Sequence, residues 1–306
     1  MLGLFTRMIV PPYQRRRRAS KQVAIVIPFS NRPKLLAEEE ISMRHVLHFL
    51  KEHDKYVIVP PGSTVAREGC KTLSFPAKFF GSAAAHNQLL MWPKFYRAFE
   101  EYEYILIYHL DSLVLSNDVA KWCRTGVDYI GAPWIPCPDT PWVREAQVGN
   151  GGFTLMKVES VLKVLHNRYR QEPGNYWIDI MTRDGHRFKP LFWLLERLSS
   201  AFPGSRIIKS LLHRVRVSQK PDIHGCNNDF FWSFEAKKHL PEFRVAGVEE
   251  GLQFAFEAAP RRCFELNHGR LPFGCHAWTK FDRSFWEPYL LREGRLSASL
   301  AGTESR

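Results

Sequence analysis

Two carboxylates and an imidazole stand where apolar stretches of the chain end. Asp111 closes the core of "YEYILIYHLDSLVL", Tyr102 to Leu115, a run of aromatic and aliphatic residues that stops on one charge. A carboxylate at a strand end can hold a hard divalent cation through oxygen and leave other positions for a phosphate. An Asp there also serves as a turn or cap residue, so Asp111 by itself reads either way. Asp229 opens the aromatic-rich stretch "NDFFWSFEAKKHL", Asn228 to Leu240. A carboxylate at a helix N-terminus is stabilised as an anion and can take a proton from an attacking hydroxyl. Stabilising the helix is its simpler role. His276 lies in "LPFGCHAW", among Pro272, Gly274 and Trp278. It can complete a metal site with Asp111 or pack as an ordinary loop histidine. Between these groups runs "VGNGGF", Val148 to Phe153. Its Gly151 and Gly152 allow close backbone approach to a phosphate, a sugar or an acceptor, and equally suit a plain turn. The loop has neither the lysine of a P-loop nor dinucleotide-binding spacing.

The elements that must position these groups alternate. "VAIVIPF" (Val23 to Phe29) is a short continuous apolar run, the pattern of a strand buried on both faces. "AEEEISMRHVLHFL" carries apolar residues at helical spacing, and "KYVIVPP" (Lys55 to Pro61) is the next strand. "KTLSFP" reads as a third strand. "SAAAHNQLLMWPKFYRAF" (Ser82 to Phe99) reads as a helix kinked at Pro93, and "YILIYHL" as a strand ending at Asp111. "VDYIGAPW" (Val127 to Trp134) is predicted as one strand, "GGFTLMKVESVLKVL" as a strand or turn leading into a helix, and Asn228 to Leu240 as a helix. The pattern after it is mixed. Strands alternating with helices predict an α/β fold with a mostly parallel central sheet flanked by helices. In such sheets ligands sit outside the carboxyl ends of the strands, which puts Asp111 at the rim of a cleft.

The chain has 306 residues, 45% of them hydrophobic, and a formal charge of +12, which favours anionic partners. Six cysteines without CxxC pairing argue against a zinc site or disulfide framework and for a reducing cytosol. No stretch reaches the length of a transmembrane helix. Residues 1–20 read as a basic, disordered arm, 21–290 as a single domain, and 291–306 as a flexible tail. Within the domain, the stretch around 183–220 is a helical insertion. Its part 187–220 combines Phe192, Trp193, Leu194 and Leu198 with Arg197, Arg206, Lys209, Arg214 and Arg216. That pattern suits either a packed insertion or a peripheral contact with an anionic membrane, at the inner face of the plasma membrane. Aromatics do not interleave with Lys or Arg as a single-strand platform needs, and no helix-turn-helix or zinc signature occurs, so no specific nucleic-acid partner is expected. Trp134, Trp142, Phe153, Phe230, Phe231 and Trp278 flank the motifs, either as core or as rings on which sugars stack.

Taken as a set, "YEYILIYHLDSLVL", "DYIGAPW", "VGNGGFTLMKVESVLKVL", "NNDFFWSF" and "LPFGCHAW" resemble the GT-A glycosyltransferases. They resemble most a bacterial family of GT-A-like proteins associated with cell-surface polysaccharide genes. The resemblance implies a GT-A-like (Rossmann-like) fold, a nucleotide-sugar donor, a saccharide or lipid-linked acceptor, and a divalent cation, Mn or Mg. Position by position, Asp111 would match the first acid of the metal motif, with His276 as the late metal ligand. The second acid of the usual Asp-x-Asp is absent. Asp229 would be the catalytic base, since Asn228 replaces the first member of an acidic pair. Phe29, Asn31 and Arg32 would face the nucleotide, and Asp111, Gly151 and Gly152 the donor. The missing acid and Asn228 leave a second reading: an inactive carbohydrate- or nucleotide-sugar-binding or membrane-associated protein of the same fold.

Overall fold

Eleven strands carry the architecture of the computed structural model, which describes residues 13–14, 19–29, 32, 34–171, 197–198, 200–202, 204–205 and 227–291. In chain order they are β1 (Lys21–Pro28), β2 (Asp54–Val59), β3 (Lys71–Ser74), β4 (Tyr102–Tyr108), β5 (Leu113–Val114) and β6 (Tyr129–Gly131). Then follow β7 (Pro133–Trp134), β8 (Gln147–Val148), β9 (Phe153–Lys157), β10 (Ala255–Phe256) and β11 (Gly274–Cys275). Asn31, most of the basic arm, most of the insertion at 183–220 and the tail after residue 291 lie outside the described residues.

Six strands form the main sheet in the order β3-β2-β1-β4-β9-β6. The first four are mutually parallel, and β9 runs antiparallel to both β4 and β6. The sheet is therefore mostly parallel, as the alternating pattern predicts. Its two central strands are the two most continuous apolar runs: Val23–Ile27 in β1 and Tyr104–Tyr108 in β4 are buried throughout. Helices Ala37–Phe49 and Val158–Gln171 bury Met43 and Val46, and Val161, Leu162 and Leu165, respectively. Two small sheets complete the frame, β10-β11-β5 and β7-β8.

Three local expectations change. The predicted helix from Ser82 to Phe99 is two helices, Ala83–Leu90 and Pro93–Arg97. Pro93 has no N–H to donate and starts the second one. The strand predicted from Val127 to Trp134 is split, because β6 pairs with β9 while β7 pairs with β8. The helix from Asn228 to Leu240 holds a π-helical stretch, Phe231–Glu235, between Asn228–Phe230 and Ala236–His239. No helix among the described residues is long and apolar enough to cross a membrane, and Cys70, Cys123, Cys137, Cys263 and Cys275 are free.

At the end of the sheet remote from Asp111, one carboxylate ties four strands. Asp54 of β2 receives Lys21 Nζ of β1 at 2.9 Å, Lys71 Nζ of β3 at 2.6 Å and the Tyr102 hydroxyl of β4. The bonds from Lys71, Tyr102 and Lys21 hold its carboxyl far below the usual carboxylate range. A depressed folded-state pKa contributes stability that is complete above the unfolded value, about 3.9, and is lost as pH falls through the folded one. Asp54→Asn is therefore expected to cost about 1 kcal/mol at pH 7. The gap to wild type should begin to narrow in chemical denaturation below about pH 4 and keep closing as pH falls towards the folded-state value; a gap that stays constant with pH would remove Asp54 from this role.

Candidate active site

The register of the short strands assembles the site. In the parallel pair β10/β11, Phe256 lies opposite Cys275, so the next residues, Glu257 and His276, come side by side. In the antiparallel pair β11/β5, Cys275 lies opposite Leu113, which brings His276 towards the turn that precedes β5. That turn leaves β4 as His109-Leu110-Asp111-Ser112. The His109 N–H donates to Gly152 O at 2.8 Å, Ser112 N–H to His109 O at 2.9 Å, and Trp278 N–H to Asp111 O at 3.1 Å. One of these bonds closes the turn on itself, and the other two fix it against the start of β9 and the loop after β11.

His276 sits between two carboxylates. Its Nε2 is 3.3 Å from Asp111 Oδ1 and its Nδ1 is 2.9 Å from Glu257 Oε1. Burial disfavours a charged ring, but the bonds to Asp111 and Glu257 outweigh it and raise the pKa to about 10. Asp111 responds in kind: burial would raise its pKa, and the His276 bond carries it down instead. Asn150 braces the group. Its Nδ2 donates to Glu257 Oε1 at 2.6 Å, and its Oδ1 accepts the Gly152 N–H at 2.9 Å.

His109 joins from the other side. Single donor atoms of His109, Asp111 and His276 lie within 4.8 Å of one another, the spacing of a metal-ligand set. Burial, together with His86 and His276 nearby, pushes the His109 pKa well down, so its ring is neutral, as a ligand must be. His109 Nε2 is 2.9 Å from His86 Nε2, a hydrogen bond that fixes the ring. His276 would exchange its proton for a metal.

The glycine loop acts through space as much as through flexibility. A Cβ on Gly152 would fall inside the His276 ring, and one on Gly149 inside the Trp134 ring. Gly151 faces Asn228 and Asp229 across a looser gap. Gly151, Gly152, Asn228, Asp229 and His276 line a cleft of about 700 Å³ together with Phe29, His109 and Asp111. The two acids and the imidazole singled out in the sequence therefore meet in one space. Burial raises the Asp229 carboxyl, Glu257 adds to that, and the Phe230 N–H bond to its Oδ1 at 2.8 Å opposes it. The anion-stabilising effect expected of a helix start is outweighed.

Other sequence expectations fare differently. Phe29 is a buried wall of the cleft with the Arg67 guanidinium 5.0 Å over its ring. Arg32 pairs with Glu39, which itself lines the cleft. Asn31 lies outside the described residues. Sequence reasoning missed His109, Glu257 and Asn150. His109 had a signal, since it stands two residues before Asp111, the spacing that puts side chains on one side of an extended chain. Glu257 also ends an apolar run, "FAFE", as Asp111 does, but two strand residues are too few to give a pattern.

No curated protein matches the chain in sequence. Among solved structures it is similar to a glycosyltransferase involved in the glycosylation of the major capsid of PBCV-1, at 10% identity and a TM-score of 0.41 over 88% of this chain and 98% of that one. It is also similar to the glycosyltransferase GlyE of Streptococcus pneumoniae TIGR4, at 12% identity and a TM-score of 0.41 over 94% and 66%. Mouse xyloside xylosyltransferase 1 is similar at 13% identity and a TM-score of 0.40 over 84% and 97%. Residues 69–276, from just before β3 to the histidine between the two carboxylates, match the family model described as protein of unknown function (DUF5672), and the chain belongs to that family.

Proposed function

We propose that the chain transfers a sugar from a nucleotide-sugar donor to a saccharide or lipid-linked acceptor of a cell-surface polysaccharide, with a divalent cation held by His109, Asp111 and His276. One observation carries this reading. A His-x-Asp turn at the carboxyl end of a central strand, a second histidine and a separate carboxylate, Asp229, share one cleft of about 700 Å³. His109, two residues before Asp111, supplies a ligand on the other side of Asp111 from the position where an Asp-x-Asp pattern would carry its second acid. Two imidazoles and a carboxylate suit a transition ion such as Mn²⁺ better than Mg²⁺, which prefers oxygen ligands alone. Bound there, the cation would neutralise the charge that grows on a departing nucleoside diphosphate.

The remaining steps fall to the chain's own groups. Asp229 takes the proton of the acceptor hydroxyl at a carboxylate oxygen, and its raised pKa makes it a stronger base than an exposed aspartate. Glu257 and Asn150 orient the His276 ring. Gly152 leaves the room that the ring occupies.

Thermal unfolding with a panel of nucleotide sugars and Mn²⁺ tests the donor site, since a ligand of the folded state raises apparent stability. Wild type should be stabilised by at least one donor in a Mn²⁺-dependent way, and His109→Ala and Asp111→Asn should lose that dependence. No Mn²⁺-dependent shift with any donor would contradict the site. Asp229→Asn should keep donor binding and lower kcat by about 10²–10⁴-fold; full transferase activity would end its role as base. Glu257→Gln should weaken Mn²⁺ binding by about 10–100-fold in titration calorimetry, and an unchanged affinity would place Glu257 outside the site.

A further inference from the structure

The aromatic rings that flank the site fall into two sets. Phe153, Phe231 and Trp278 are core residues, whereas Trp142 is 60% exposed and Phe230 38%. Trp142 stands edge-on to Trp134, with centroids 5.0 Å apart. Trp134 stacks on Phe234 at 6.3 Å and an interplanar angle of 17°, and Phe234 meets Phe230 at 4.4 Å. The four rings form one chain of contacts in which Trp134 is itself buried, at 7% exposure, behind Trp142, and Gly149 lets the Trp134 ring settle against the glycine loop.

This surface bounds two adjoining hollows of about 430 and 370 Å³, which share Trp134, Trp142 and Phe230. The larger is also walled by Asp139, Asn150, Asp229, Glu257 and Lys280. Asn150 and Asp229 line the catalytic cleft as well, so the hollow and the cleft meet at the proposed base. The smaller hollow adds Arg144, Glu145 and Gln147 at its far side.

Flat rings interleaved with carboxylates, an amide and an ammonium specify the occupant. A pyranose offers an apolar CH face to an aromatic ring and hydroxyls around its rim to such polar groups. A lipid chain or an apolar peptide would cover the same carboxylates without giving them a hydrogen-bond donor, which costs free energy. An exposed tryptophan beside a concave polar wall is the mark of a recognition surface. Two adjoining hollows, the larger of which reaches Asp229, suit more than one sugar ring.

We propose that Trp134, Trp142, Phe230 and Phe234 form the acceptor platform, which binds a saccharide of at least two residues and presents one of its hydroxyls to Asp229. The proposal rests on the transfer reading for its direction and on the platform's own geometry for the ligand.

Trp142 and Phe230 are exposed, so Trp142→Ala and Phe230→Ala are expected to leave folding intact, and Trp142→Phe keeps a ring in place. Tryptophan fluorescence of the full chain is followed while maltose, cellobiose, lactose and chitobiose are titrated. The same proteins are assayed for thermal stabilisation by nucleoside diphosphates with Mn²⁺. The expected result is binding of at least one saccharide, weakened about tenfold in each alanine variant and largely kept in Trp142→Phe, with the nucleotide shift unchanged. Equal binding by wild type and both alanine variants, or no binding of any of the four by wild type, would overturn the platform. So would a Trp142 shielded from iodide in the free chain, since the chain itself would then cover the surface. If saccharide binding follows the rings but no nucleoside diphosphate stabilises the protein, the platform stands as a saccharide site and the donor assignment falls.

Discussion

The position of β11 between β10 and β5 is the constraint on which the site depends. β11 has only two residues, yet its register on either side decides which groups meet. Parallel pairing with β10 sets His276 beside Glu257, and antiparallel pairing with β5 sets it beside Asp111. A one-residue slip would turn these side chains to the opposite face. The register is held by close packing. A Cβ on Gly274 would run into Phe153 and the Leu113 carbonyl, so only glycine lets β11 approach this closely. Phe153 in turn packs on Phe254 and Phe273, which ties the small sheet to the main one.

The main sheet then has two chemically different ends. At the amino ends of the parallel strands, Asp54 gathers two ammonium groups and a phenol and is fully committed to holding strands together. At the carboxyl ends, charges are gathered in a cleft, and half of the Asp111 side chain remains exposed. A central parallel strand has no solvated face for a charge, so polar groups collect at its ends. Asp111 is the answer that this geometry gives to an apolar strand closing on a carboxylate: the strand fixes the position and the turn opens it to the cleft.

Much of this frame is legible in the sequence, and the limits follow from length. β1, β2 and β4 are long enough for continuous apolar runs to identify them, and Asp111 follows from where β4 stops. β5, β7, β8, β10 and β11 have two residues each, too few for any periodicity, and they are the strands that bring distant segments together. Glu257 was therefore hidden, although it closes an apolar run just as Asp111 does. Asn150 stands inside a glycine loop where no local pattern marks it, and its role depends on a partner 107 residues away. The split of Tyr129–Trp134 was foreshadowed by Pro133, which cannot donate to a ladder. The aromatics could not be sorted from sequence, because core rings and surface rings have the same composition and differ only in exposure.

Diffraction from crystals grown with Mn²⁺ and a nucleoside diphosphate, recorded for the anomalous signal of manganese, tests the central claim most directly. The account predicts one manganese peak bonded to His109, Asp111 and His276, with the diphosphate on its open side and Asp229 across the cleft. A nucleotide bound in the cleft with His276 still bridging Asp111 and Glu257, and no manganese among the three groups, would contradict it.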